Sequence, residues 1–129
     1  MTTDRERLKK VRDGLLHLHK YLMDSERAAY ERDVARITSA GEYLRLVLDD
    51  PWFAWLRELS QFVVLVDEVL DEKEIDPDAA SLIARARSLA SPSEGARGFA
   101  GRYYDAMQRD PGVVLAHRDM MRVFEDAAA

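Results

Sequence analysis

Each of the four prolines in this chain follows an Asp or a Ser: Asp50-Pro51, Asp76-Pro77, Ser91-Pro92 and Asp110-Pro111. An Asp or Ser at the N-cap accepts hydrogen bonds from the first free amides of a helix. Proline at the next position forfeits nothing, because its missing N–H would be unpaired there anyway. Each pair precedes a run with helical apolar spacing. The pairs therefore predict four helix starts and, by implication, four places where something has just ended.

The spacing predicts a first helix over 4–37, with Leu8, Val11, Leu15, Leu18 and Leu22 as a buried stripe and Ala29, Tyr30, Val34 and Ile37 continuing it. Gly14 inside it costs about 1 kcal/mol relative to Ala, too little to break it. Ser39-Ala40-Gly41-Glu42 is a capping-box pattern and opens a short helix from Glu42 to Leu48. A helix over 51–73 follows, its stripe running Trp52, Trp55, Leu59, Phe62, Val63, Val66 and Leu70. Asp76-Pro77 predicts a helix to residue 90 with Ala79, Leu82, Ile83, Ala86 and Leu89 inward. Ser91-Pro92-Ser93-Glu94 predicts another to residue 109 with Phe99, Tyr103 and Met107 inward. Asp110-Pro111 starts the last, with Val114, His117, Met121 and Phe124 inward. Gly95, Gly98 and Gly101 recur every third residue and predict one small helix face that lets a neighbour approach closely. Strand-like alternation is absent, and the connections are short, which makes consecutive helices antiparallel neighbours. Residues 1–129 read as one all-α domain: an antiparallel bundle of four main helices plus one or two shorter ones.

With 47% hydrophobic residues the chain can bury a core unaided. A net charge of -5 argues against a non-specific nucleic-acid partner, which needs a basic footprint. Cysteine is absent, which removes disulfides, thiolate chemistry and Cys-type zinc sites. The N-terminal Met1-Thr2-Thr3-Asp4-Arg5-Glu6-Arg7 is charged and no apolar run follows, unlike a secretory signal. The longest apolar run, Phe62 to Val66, is far short of the roughly 20 residues of a membrane span. The expectation is a cytoplasmic protein with no membrane partner and no cofactor.

His17 and His19 lie two apart on the first helix and point about 200° away from each other, so they cannot share one ion. His17 sits with Asp13, Lys20 and Asp24 on a solvated face. His19 borders the apolar stripe with Glu26 and Tyr30, and His117 falls on the inner stripe of the last helix. His19, Glu26 and His117 form a conceivable cross-helix site. The plainer reading makes both histidines hydrogen-bonded boundary residues, because the Glu-x-x-His spacing of di-metal bundles is absent and no tight metal site is expected. Asp67-Glu68 and Asp71-Glu72 form an acidic face able to hold a cation or do acid–base work. The plainer reading pairs it with arginines of a neighbouring helix, Arg85, Arg87, Arg97 and Arg102 being candidates. Trp52, Phe53 and Trp55 make the densest aromatic segment, either a core anchor or an exposed interaction patch. Trp52 or Trp55 is expected to be mostly buried against the first helix.

Two segments carry a family resemblance. One is Leu16-His17-x-His19-Lys20 through Asp24-Ser25-Glu26-Arg27 to Tyr30-Glu31-Arg32; the other is Leu46-x-Leu48-Asp49-Asp50-Pro51-Trp52-Phe53-Ala54-Trp55-Leu56-Arg57, running on to Asp67-Glu68. Over about its first half the chain resembles a family of small, uncharacterised bacterial helical proteins. The resemblance implies a bacterial, cytosolic, all-helical protein and transfers no catalytic residue.

The expected function is a non-enzymatic interaction module that pairs with itself as a homodimer. A helix over 4–37 outruns the later ones and would leave Leu8 and Val11, or Val34 and Ile37, in water on a monomer, and exposed apolar residues of that kind mark partner surfaces. The alternative is a small-ligand- or metal-binding bundle with a pocket near His19, Glu26, Tyr30 and the Asp67-Glu68 face.

Overall fold

The computed structural model describes residues 2–128 and is all-helical, with no strand among them. Six α-helices follow in order: α1 (Asp4–Asp33), α2 (Ala40–Asp49), α3 (Arg57–Asp71), α4 (Ala79–Leu89), α5 (Phe99–Arg109) and α6 (Pro111–Ala128), with a 3₁₀ segment Pro51–Leu56 leading into α3. They form a bundle organised around α1, which packs most extensively on α6 and also on α3, α4, α5 and the 3₁₀ segment. Leu8, Val11, Leu15, Leu18 and Leu22 make its buried stripe, as their spacing predicts. Gly14 has a structural use: a Cβ there would stand 3.0 Å from the Met120 sulfur, so the bare backbone lets α6 approach.

Cap chemistry decides several boundaries. Ser39 caps α2, its hydroxyl accepting from the Glu42 amide at 3.1 Å, while Glu42 accepts from the Thr38 amide and hydroxyl. Asp50 accepts from the Trp52 amide at 2.8 Å, and Asp110 from the Gly112 amide at 2.9 Å. Two of the four proline signals fail. At Asp76-Pro77 the cap is Asp78, which accepts from the Ser81 amide at 3.2 Å, and α4 starts two residues later than expected. At Ser91-Pro92 no helix begins. Residues 91–98 form a loop, and α5 starts at Phe99 after Gly98 at φ 74°. Gly95 (φ 72°) and Gly98 turn this loop, and a Cβ on Gly101 would lie 1.8 Å from the Ala96 carbonyl oxygen. The three glycines therefore shape a loop clamped onto α5, not a helix face.

Three further expectations are corrected. α1 ends at Asp33, where the Tyr30 carbonyl accepts from the Val34 and Ala35 amides, and an irregular segment then carries Ile37 into the core. With Leu8 and Val11 also buried, the overhang argument for a dimer on α1 loses its premise; only Val34 stays out. The helix expected over 51–73 opens with six residues of 3₁₀ geometry. Three residues per turn aligns Phe53 with Leu56, and these two are buried while Trp52 and Trp55 are half-buried. The buried stripe of α6 is Val113, Ala116, Met120, Phe124 and Ala127, with Val114 exposed; Met120 lies against Gly14 of α1.

Candidate functional site

The polar residues singled out along the chain are dispersed and do not gather in one site among the described residues. Glu26 is buried in the α1 stripe between Leu22 and Ala29, and one carboxylate oxygen accepts from Arg109 Nη2 of α5 at 2.8 Å. The same nitrogen donates to the Ser25 hydroxyl at 3.1 Å. His117 Nδ1 shares a 2.6 Å hydrogen bond with the Tyr103 hydroxyl. Burial pushes the His117 pKa down and the Tyr103 pKa up, so both are neutral at pH 7. Burial also lowers His19. His19, Glu26 and His117 thus share no hydrogen bond, and no three His, Asp or Glu side chains gather at metal-binding distance among the described residues. His17 stays on the solvated face, 3.4 Å from Asp119 and edge-on to Tyr21.

Tyr30 belongs to an aromatic cluster. Its ring packs against Trp52 and Phe53, both at 5.7 Å, and Tyr43 of α2 closes on Phe53 at 6.0 Å. Phe53 is the fully buried anchor of this cluster, and Trp52, mostly covered and packed on Tyr30 of α1, meets the expectation for one of the two tryptophans. Trp55 turns the other way and packs on Phe99 at 5.2 Å. The indole N–H groups of Trp52 and Trp55 are both buried without an acceptor.

Asp67 takes Arg12 Nη1 at 2.7 Å, which raises the Arg12 pKa. That partner comes from α1, not from Arg85, Arg87, Arg97 or Arg102. Arg87 instead donates to the Phe124 carbonyl at 2.9 Å, and Arg85 stands over the Phe62 ring. Glu68 is exposed.

Two surfaces missed from sequence remain. The first is the outer side of α2. This helix contains no buried residue; Tyr43, Leu46 and Val47 are half covered, while Leu44 and Leu48, one turn apart, are 59% and 60% exposed. Their i, i+4 spacing was visible, but a ten-residue helix with apolar residues on two sides gives no indication of which side is inward. The second is a groove of about 720 Å³ walled by α3, α4 and the loop before α5. No helix among the described residues is long and apolar enough to cross a membrane.

No family model, curated protein or solved structure matches this chain. The resemblance of its first half to a bacterial helical family therefore rests on the residues alone.

Proposed function

We propose that the protein is a non-enzymatic helical interaction module that pairs with a second copy of itself through the outer face of α2. The observation that carries this reading is the exposure of Leu44 and Leu48 on a helix that buries no residue of its own. Fully burying a leucine is worth about 1.5–3 kcal/mol, and more than half of each of these two side chains is left in water within one turn. A patch on a two-fold axis meets itself, so one face serves both subunits. Antiparallel pairing sets Leu44 against Leu48 of the second copy and brings Arg45 alongside its Asp49, so charge flanks the apolar contact with both signs. One short helix per subunit buries little area, which places the interface in the class below about 1,200 Å² and makes the dimer concentration-dependent.

Sedimentation velocity from tens of micromolar upward tests this. The mass average should rise with concentration. Leu44→Glu and Leu48→Glu should each hold the protein monomeric, and Val64→Glu, on the exposed side of α3, should not. A wild-type protein still monomeric at a concentration on the order of 1 mM would rule out the pairing.

A further inference from the structure

We infer that the groove between α3, α4 and the start of α5 is a binding site for a small organic acid, a carboxylate carried on an apolar body. The groove exists because α3 and α4 each lean on α1 and α5 on α6, while none of the three packs broadly on either of the others. Its volume lies within the range of ordinary small-molecule sites. The floor is apolar: Phe62 and Phe99 are buried beneath it, and Leu65 and Leu89 are half covered along it.

The rim is cationic. Arg85 reaches across from α4 and stands 5.2 Å from the centre of the Phe62 ring. Arg97 comes from the clamped loop, between the two positive-φ glycines Gly95 and Gly98. That loop is closed on itself and on the helix it precedes: the Ala96 amide donates to the Ser93 carbonyl at 3.2 Å, and the Ser93 amide to the Ala100 carbonyl at 3.1 Å. The backbone carrying Arg97 is therefore held in place.

Charge complementarity names the occupant. The chain carries a net charge of -5, and Arg7, Arg12, Arg27, Arg32 and Arg109 are each paired with a carboxylate. Neither Arg85 nor Arg97 is paired with one among the described residues, and both line the same groove. One carboxylate, Glu58, lines it as well and leaves the rim positive by one charge. Two planar guanidiniums beside an aromatic floor match an anion with an apolar tail: the fork geometry takes the carboxylate, and the phenylalanines and leucines take the tail. The groove lies apart from α2, so it stands independently of the pairing proposed above.

Octanoate and 1-octanol are the probes, followed by amide NMR titration of the full chain. Octanoate should saturate shifts at Arg97, Phe99, Ala100 and Leu65, and binding should weaken as salt rises. Octanol, with the same tail and no charge, should bind more weakly. Arg85→Gln and Arg97→Gln should each weaken octanoate about tenfold, the cost of one charge-assisted hydrogen bond, and leave octanol unchanged. Glu58→Gln should tighten octanoate. All three positions are exposed or half-exposed, so an otherwise unaltered amide spectrum checks that each variant is folded. The proposal is overturned if octanoate leaves these resonances unmoved at concentrations on the order of 10 mM, if octanol binds as tightly as octanoate, or if octanoate affinity is indifferent to both arginine substitutions.

Discussion

Replacing Arg109 by Ala removes the only charge partner of Glu26 among the described residues and leaves a carboxylate that is 6% exposed within the buried stripe of α1. Breaking a fully buried ion pair from one side costs about 3–5 kcal/mol, because the surviving charge stays desolvated. A solvent-exposed pair costs about 0–1 kcal/mol. Arg109 is 29% exposed, so water reaches that end of the pair, but the carboxylate sits close to the buried limit. The expected loss is therefore about 2–3 kcal/mol, below the buried range and well above the surface one. Removing both charges should be milder than removing either: Glu26→Leu with Arg109→Met should fall within about 1 kcal/mol of wild type, since no unpaired ion remains. Urea unfolding followed by far-UV circular dichroism reads this directly. At a denaturant slope of about 1–3 kcal/mol/M, the Arg109→Ala midpoint should drop by about 0.7–3 M. A loss under about 0.5 kcal/mol, or a double variant as unstable as the sum of its singles, would refute the claim that the pair is coupled and desolvated.

Gly101→Ala should destabilise by about 1–3 kcal/mol in a thermal melt, because the Ala96 carbonyl must move, although helix propensity alone would favour Ala by about 1 kcal/mol; a more stable variant would contradict the clamped loop. Asp78→Ala should cost about 0.5–2 kcal/mol and Asp76→Ala less than about 0.5 kcal/mol, and equal losses would dismiss the assigned cap. Stability should fall as pH drops below about 6.5, since burial depresses His19 and His117 in the folded chain while the unfolded chain takes up those protons first; this contribution is fully present above that pH, and the His19→Gln, His117→Gln double variant should show a flatter profile between about pH 7.5 and 5.5.

Helix type and number follow from short-range chemistry, which is why they could be read from the chain. The leucine stripe of α1, the Ser39 capping box and the Asp50 and Asp110 caps need only neighbours within four residues. What failed depended on distant residues or on competing local ones. Asp76 and Asp78 are two acidic candidates two residues apart, and it is Asp78 that bonds a first-turn amide, that of Ser81. The loop over 91–98 overrides a good capping pattern because positive-φ glycines and contact with Ala100 define it instead. Phe53 rather than a tryptophan is the fully buried member of the aromatic segment because Tyr30 of α1 and Tyr43 of α2 both close on its ring, contacts between helices that local spacing does not show. Among site residues, Ser25 and Glu26 inside the Leu22–Ala29 stripe did carry a signal, since two polar residues on a buried face require a partner. Neither the partner's identity, Arg109, 83 residues away, nor the pairing of Tyr103 with His117 has any local trace.

The chain carries 15 Arg and 4 Lys, and the helix ends show one use for the guanidinium. Carbonyls at a helix C-terminus have no intrahelical donor and need outside ones. Arg5 of α1 reaches the end of α3 and the turn after it, with Nη1 donating to the Leu70 carbonyl at 2.7 Å and Nη2 to the Glu72 and Ile75 carbonyls at 3.0 and 2.9 Å. Arg57 reaches back to the Val47 and Asp50 carbonyls at the end of α2, and Arg87 to the Phe124 carbonyl in α6. A guanidinium spreads five donors over a rigid fork and reaches separate carbonyls from different nitrogens, whereas an ammonium holds its three donors on one atom. The consequence bears on the groove. α3 and α4 hardly touch, so their separation is not set by packing between them. It is set by packing on α1 and by Arg5 holding the connection between them, and a bundle pinned this way through its central helix keeps a gap between two outer ones without losing its core.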